Sequence, residues 1–173
     1  MGTVFYKRIC YCFLFFIIPV SFYAQKGAEN YINKYDRNNK KTGLWIEPND
    51  RFRKETYYLN GVKNGMYKEY NGYGTLFVLG EYKNGEMVGT WYYFGSKGHL
   101  TSKETGFSKA KVRGMKYKYF CTVFHLNGII ASQGYIISDK SPYDELWTEV
   151  GKWNYFDESG KLIKTETYPE PPN

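Results

Sequence analysis

The sequence predicts an all-β protein, an elongated repeat array of antiparallel β-hairpins forming a single twisted sheet, and three observations carry that prediction. A spaced pattern recurs: glycine, an aromatic residue two positions on, another at five, glycine at nine and an aliphatic residue at eleven. It reads Gly65, Tyr67, Tyr70, Gly74, Leu76, then Gly89, Trp91, Phe94, Gly98, Leu100, then Gly151, Trp153, Phe156, Gly160, Leu162. Repetition of this kind marks arrays in which each unit buries its apolar side against the next. Asn-Gly dipeptides at 60–61, 64–65, 71–72, 84–85 and 127–128 punctuate the chain and supply the positive backbone angles of tight turns at little steric cost. Aromatic residues form 20% of the chain and outnumber isoleucine, leucine and valine together after residue 24, which suits a thin sheet shielded by flat rings.

Segment 1–24 reads as a secretory signal peptide. Lys7 and Arg8 form its charged start, no charge follows as far as Gln25, and Phe13 to Ile18 is an apolar run closed by Pro19. The run is short for a membrane span of about 20 residues; cleavage after Ala24 is the expectation and an uncleaved anchor the alternative. Cys10 and Cys12 lie too early in the run for lipid attachment. Removal of 1–24 leaves Cys121 alone, so no internal disulfide forms even in an oxidising compartment; between Phe120 and Thr122 it reads as a small buried hydrophobe.

Residues 25–42 form a polar lead-in, a short helix or an irregular stretch, anchored by Tyr31, Ile32 and Tyr35. The repeats span 43–168, opening with a decayed copy at Gly43-Leu44-Trp45. Within a copy, Gly89 to Phe94 is the first strand, Gly95 to Gly98 the turn and His99 to Glu104 the return. The last turn residue is glycine in each copy (Gly74, Gly98, Gly160), as expected of a type I turn followed by a left-handed residue that forms a bulge. The interval between Gly89 and Gly151 is too long for two repeat steps; it holds a degenerate unit near 119–135, keeping Phe124, Gly128 and Ile130, with insertions around 106–113 and 138–149. Trp45, Trp91 and Trp153 are assigned to stacking between hairpins, with Tyr70, Phe94 and Phe156 as their partners. The tail, 169–173, carries three prolines that lack amide donors, and is expected to be disordered.

Asn84-Gly85 followed by Gly89-Thr-Trp91-Tyr-Tyr-Phe94 and Gly98-His-Leu100 resembles the variant MORN (membrane occupation and recognition nexus) repeat, and Gly151-Lys-Trp153-Asn-Tyr-Phe156 matches equally well. The resemblance covers about 43–168. Proteins of this look are grouped with the YwqK-type antitoxin family. The resemblance implies successive hairpins in one extended sheet and, from related repeats, scaffolding of proteins or contact with phospholipid; a toxin-neutralising role is a further implication, at odds with export.

No catalytic constellation is legible. His99 and His125, the only histidines, lie at or beside turns, and no cysteine or carboxylate recurs near them at metal-ligand spacing. No serine sits in a nucleophile elbow, and the glycines form no phosphate loop before a helix. Glu69 and Glu81 are a carboxylate pair that a sheet could bring together, although exposed acids there more simply form ion pairs. No metal and no cofactor is expected. The net charge is +7, but Lys63, Lys68, Lys83, Lys97, Lys103, Lys152 and Lys161 are scattered rather than clustered, the pattern of solvated strand faces and guarded edges. The function expected is therefore a non-catalytic, exported protein-binding or scaffolding module of the periplasm or cell envelope. A membrane surface bound through aligned lysines or a glycan is the alternative partner, and nucleic acid is disfavoured. The binding candidates are Tyr143, Asp144, Glu145 and Trp147, in an acidic insertion that contrasts with the basic remainder. A solvated loop with Trp147 folded back on the sheet explains the same residues equally well.

Overall fold

The computed structural model describes residues 32–48, 51–140 and 146–172; segment 1–24, expected to be a signal peptide, lies outside them. They form β1 (Lys34–Tyr35), β2 (Lys41–Pro48), β3 (Phe52–Leu59), β4 (Val62–Asn71), β5 (Leu76–Lys83), β6 (Glu86–Phe94), β7 (Leu100–Lys109), β8 (Tyr117–Phe124), β9 (Ile130–Ser138), β10 (Trp147–Phe156) and β11 (Leu162–Tyr168). All strands belong to a single open antiparallel sheet whose spatial order is the chain order. The expected array of hairpins is thus present. Part of the expected lead-in, 25–42, is already sheet: Ile32 bridges to Leu44, and Lys34 and Tyr35 pair with Thr42 and Lys41.

Turn chemistry alternates between the two ends of the strands. At one end the bonds Gly74 N to Asn71 O, Gly98 N to Gly95 O, Gly128 N to His125 O and Gly160 N to Asp157 O, each 2.8–2.9 Å, close four equivalent turns. Their last glycines have φ of 78° to 84°, and a register shift follows each turn at Glu69/Tyr70, Tyr93/Phe94, Val123/Phe124 and Tyr155/Phe156. This is the expected turn-plus-bulge, and it includes the degenerate unit, which is the hairpin of β8 and β9. At the other end Asn60-Gly61 and Asn84-Gly85 are two-residue turns with positive φ at both positions. Asn64-Gly65 differs from the expectation: it lies inside β4, where Gly65 (φ 123°) meets a register shift between β3 and β4. Gly89 and Gly151 do the same in β6 and β10. The opening glycine of these three copies is therefore at a bulge within the strand, not in a turn.

One face carries the main core. Tyr67, Val78, Met87, Trp91, Tyr117, Tyr119, Cys121, Ile136 and Trp153 are buried there, with Tyr82, Tyr93, Phe107, Tyr155 and Tyr168 packed around them. Trp45, Trp91 and Trp153 each lean back toward the preceding strand. The Trp91 ring lies over Gly80 and the Trp153 ring over Gly134, so closely that an added Cβ would sit 2.2 Å and 2.4 Å from indole carbons. Trp45 and Trp153 also donate Nε1–H to Lys34 O (3.1 Å) and Tyr135 O (3.0 Å). The stacking role expected of the tryptophans holds. Tyr70, Phe94 and Phe156 do not join it: three residues beyond a core ring is an odd step on a strand and reverses the face. They are half-buried, and Tyr70 lies under the Arg53 guanidinium at 4.3 Å. The tail has no strand from 169 to 172, but Glu170 pairs with Lys118 on β8 and so ties it down.

Candidate functional site

Tyr143, Asp144 and Glu145 lie outside the described residues. Trp147 opens β10 opposite Ser138 and is 59% exposed, as is Leu146, so it is neither a loop residue nor folded back on the sheet. The neck of this insertion is defined. Asp139 and Leu146 exchange bonds through Asp139 N to Leu146 O (3.1 Å) and Leu146 N to Asp139 Oδ1 (3.0 Å). Lys140, at φ 52°, reaches onto the tryptophan face, where its ammonium meets Glu104 Oε2 at 2.8 Å and stands over the Tyr119 ring at 4.5 Å. Both side chains are about nine-tenths buried. Glu104 also accepts from the Tyr93 hydroxyl (2.8 Å), which satisfies a carboxylate that would be costly to bury alone.

The other insertion builds a cleft. β7 runs through a bulge at Gly106 (φ 68°) to Lys109, and residues 110–116 then turn back, held by Ala110 N to Lys116 O (3.0 Å) and Met115 N to Val112 O (3.1 Å). Ala110 is buried with Ile137 and Val150, and Val112 and Met115 pack against them. The insertion is thus a packed element. Between it and β6 lies a cleft of about 760 Å³ lined by Met87, Val88, Phe107, Met115 and Tyr117, with Glu86, Lys109 and Lys116 among its polar residues. Tyr117 positions the polar side: its hydroxyl donates to the Glu86 carboxylate and accepts Met87 N–H at 3.2 Å. That hydroxyl, followed by Lys116 at 3.1 Å, holds the Glu86 carboxyl below its usual range.

A second, more polar cleft of about 320 Å³ lies over β4 to β6, lined among others by Lys63, Tyr67, Tyr82, Trp91 and Lys140. Lys63 stands over the Tyr82 ring at 4.7 Å and has no acidic partner among the described residues. Burial, then the neighbouring Lys54 ammonium, lowers its pKa. Trp91 Nε1 is the one buried side-chain polar atom without an acceptor among the described residues.

Cys121, His99 and His125 lie outside the clefts. Burial pushes the Cys121 thiol up to about 12, which leaves almost no thiolate near neutral pH. His125 Nε2 lies 2.9 Å from Phe156 O, tying one turn to the next, and His99 packs over Gly95. Among the described residues no group of three or more His, Cys, Asp or Glu could hold a metal ion. Glu69 accepts from the Tyr67 hydroxyl at 2.5 Å, while Glu81 is exposed on the neighbouring strand opposite Met66, not Glu69.

No family model matches the chain, and neither the curated proteins nor the solved structures compared with it include a match.

Proposed function

We propose that the protein is an exported, non-catalytic binding module that holds an apolar anchor of a partner protein in the cleft between β6 and the 110–116 turn. The supporting observation is the lining: Met87, Val88, Phe107, Met115 and Tyr117 are gathered at the strand end where both insertions emerge. Two methionines and a phenylalanine make an adaptable apolar wall, suited to a side chain presented by another protein. The Glu86–Lys116 pair at 3.1 Å gives the site a polar side with both signs of charge. Export rests on segment 1–24, and scaffolding rests on the resemblance to variant MORN repeats.

The membrane-surface alternative draws on Lys41, Lys54 and Lys116, whose charges reach Lys63. Lys41 is paired with Glu47 and Lys116 with Glu86, and Lys54 lies 4.0 Å from Glu69, so Lys63 is the member of this group without an ion-pair partner among the described residues. An anionic surface is typically held by clusters of about 4–8 basic residues; this group has four, three of them already beside acids, which disfavours this reading. A glycan partner and toxin neutralisation have no separate structural support.

A photo-crosslinking residue at Met115, with a control at Tyr92 on the opposite face, tests the reading in the native host. A discrete protein adduct at Met115 that persists at raised salt is expected. Adducts equal to the control, or binding to anionic vesicles that vanishes with salt, would refute it.

A further inference from the structure

The two edges of the sheet differ. β1 has two residues and is too short to template another strand, whereas β11 has seven and pairs only with β10. Apart from Glu166 and Tyr168 every residue of β11 is exposed, and Leu162 and Ile163 are 51% and 63% exposed. An edge of this length with uncovered apolar side chains is a site for strand addition.

The sequence of this edge selects its occupant. Centred on Thr165, it reads Lys164, Thr165, Glu166, so an antiparallel copy of the same strand about a twofold axis at Thr165 places Lys164 opposite Glu166 of the second copy, twice. Directly opposed residues of an antiparallel pair share a face. Lys164 and Glu166 already lie on the tryptophan side, 2.8 Å apart, with Lys164 over the Tyr155 ring at 4.5 Å. Pairing would therefore set four charges in alternation around the axis. The same register brings Leu162 against Tyr168 of the second copy and Ile163 against its Thr167, covering both exposed aliphatics. Pro169, Pro171 and Pro172 end the ladder just beyond Tyr168.

We propose that β11 is a homodimer interface, joining two copies edge to edge into one continuous sheet through this self-complementary register. Charge reversal of the full-length chain's mature form tests it. Lys164→Glu and Glu166→Lys each place like charges opposite each other at both positions, and each is expected to weaken dimerisation roughly tenfold or more. Mixed together, the two variants regain opposite charges at every position and should form the heterodimer. Sedimentation equilibrium reads the masses, and far-ultraviolet circular dichroism confirms that each variant remains folded. A monomeric wild type, single variants that dimerise as well as wild type, or a mixture that stays monomeric would each overturn the proposal. A monomeric wild type would leave the edge to a strand from a different protein.

Discussion

Replacing Gly80 by alanine tests whether the tryptophan-over-glycine contact sets the sheet's packing. The added methyl carbon would lie 2.2, 2.4 and 2.6 Å from Cδ2, Cε2 and Cε3 of Trp91, distances that no rotamer of alanine can relieve. The ring has little room to retreat. Trp91 is 2% exposed, with Tyr67 and Tyr82 at centroid distances of 5.5 and 4.9 Å. Gly80 does not need a positive φ, so the substitution carries no backbone strain, and restriction of the unfolded chain favours alanine by about 0.4–1 kcal/mol. Overpacking costs about 1–3 kcal/mol, and this overlap belongs at the upper end. The net expectation is a loss of about 2 kcal/mol. With a urea dependence of roughly 2 kcal/mol per molar, the unfolding midpoint should fall by about 1 M. Trp91→Leu should abolish most of that penalty in the double variant, since the two residues share one contact. A Gly80→Ala midpoint equal to or above the wild type, or a penalty unchanged by Trp91→Leu, would refute the reasoning.

Three further outcomes are expected. Asn84→Ala should cost about 1 kcal/mol in urea unfolding, because alanine lacks asparagine's tolerance for φ of 52°, whereas Asn84→Gly should be close to neutral. Lys140→Met should destabilise by about 3 kcal/mol because it removes the ammonium that neutralises the buried Glu104, while Lys116→Met, which breaks the exposed pair with Glu86, should cost at most about 1 kcal/mol. Stability should fall as pH rises from about 9 toward 12: burial raises Cys121 and Tyr82 to about 12, so the folded chain keeps protons that the unfolded chain releases from ordinary values of 9.0 and 10.0. A thermal melting point that stays level across that range, or fast native-state reaction of Cys121 with a thiol reagent at pH 8, would contradict the burial.

The readable parts of the fold are those that a single residue type must mark. A left-handed turn position leaves a glycine, so Gly74, Gly98, Gly128 and Gly160 fixed the turns. A buried indole leaves a tryptophan, so Trp45, Trp91 and Trp153 fixed the stack. Tyr70, Phe94 and Phe156 stand three residues beyond Tyr67, Trp91 and Trp153, an odd step that strand alternation alone puts on the other face, so their separation from the stack follows from the spacing itself. Spacing could not show that Gly80 and Gly134 leave room for rings on another strand. The clefts were illegible on the same ground. Met87 meets Tyr117 across 30 positions, Glu104 meets Lys140 across 36, and neither pair shares a repeat position. The marker that was available is the first insertion: Phe107, Val112 and Met115 are apolar side chains in a segment too short to bury them alone, which signals packing against the sheet. The acidic insertion stands out by its charge, but its described residues bring Lys140 onto the buried Glu104.

Intact mass and fractionation of the protein made from its own full-length reading frame test the central claim, an exported binding module, most directly. A mature species beginning at Gln25 in an extracytoplasmic fraction is expected. A full-length species confined to the cytosol would contradict it and revive the toxin-neutralising alternative.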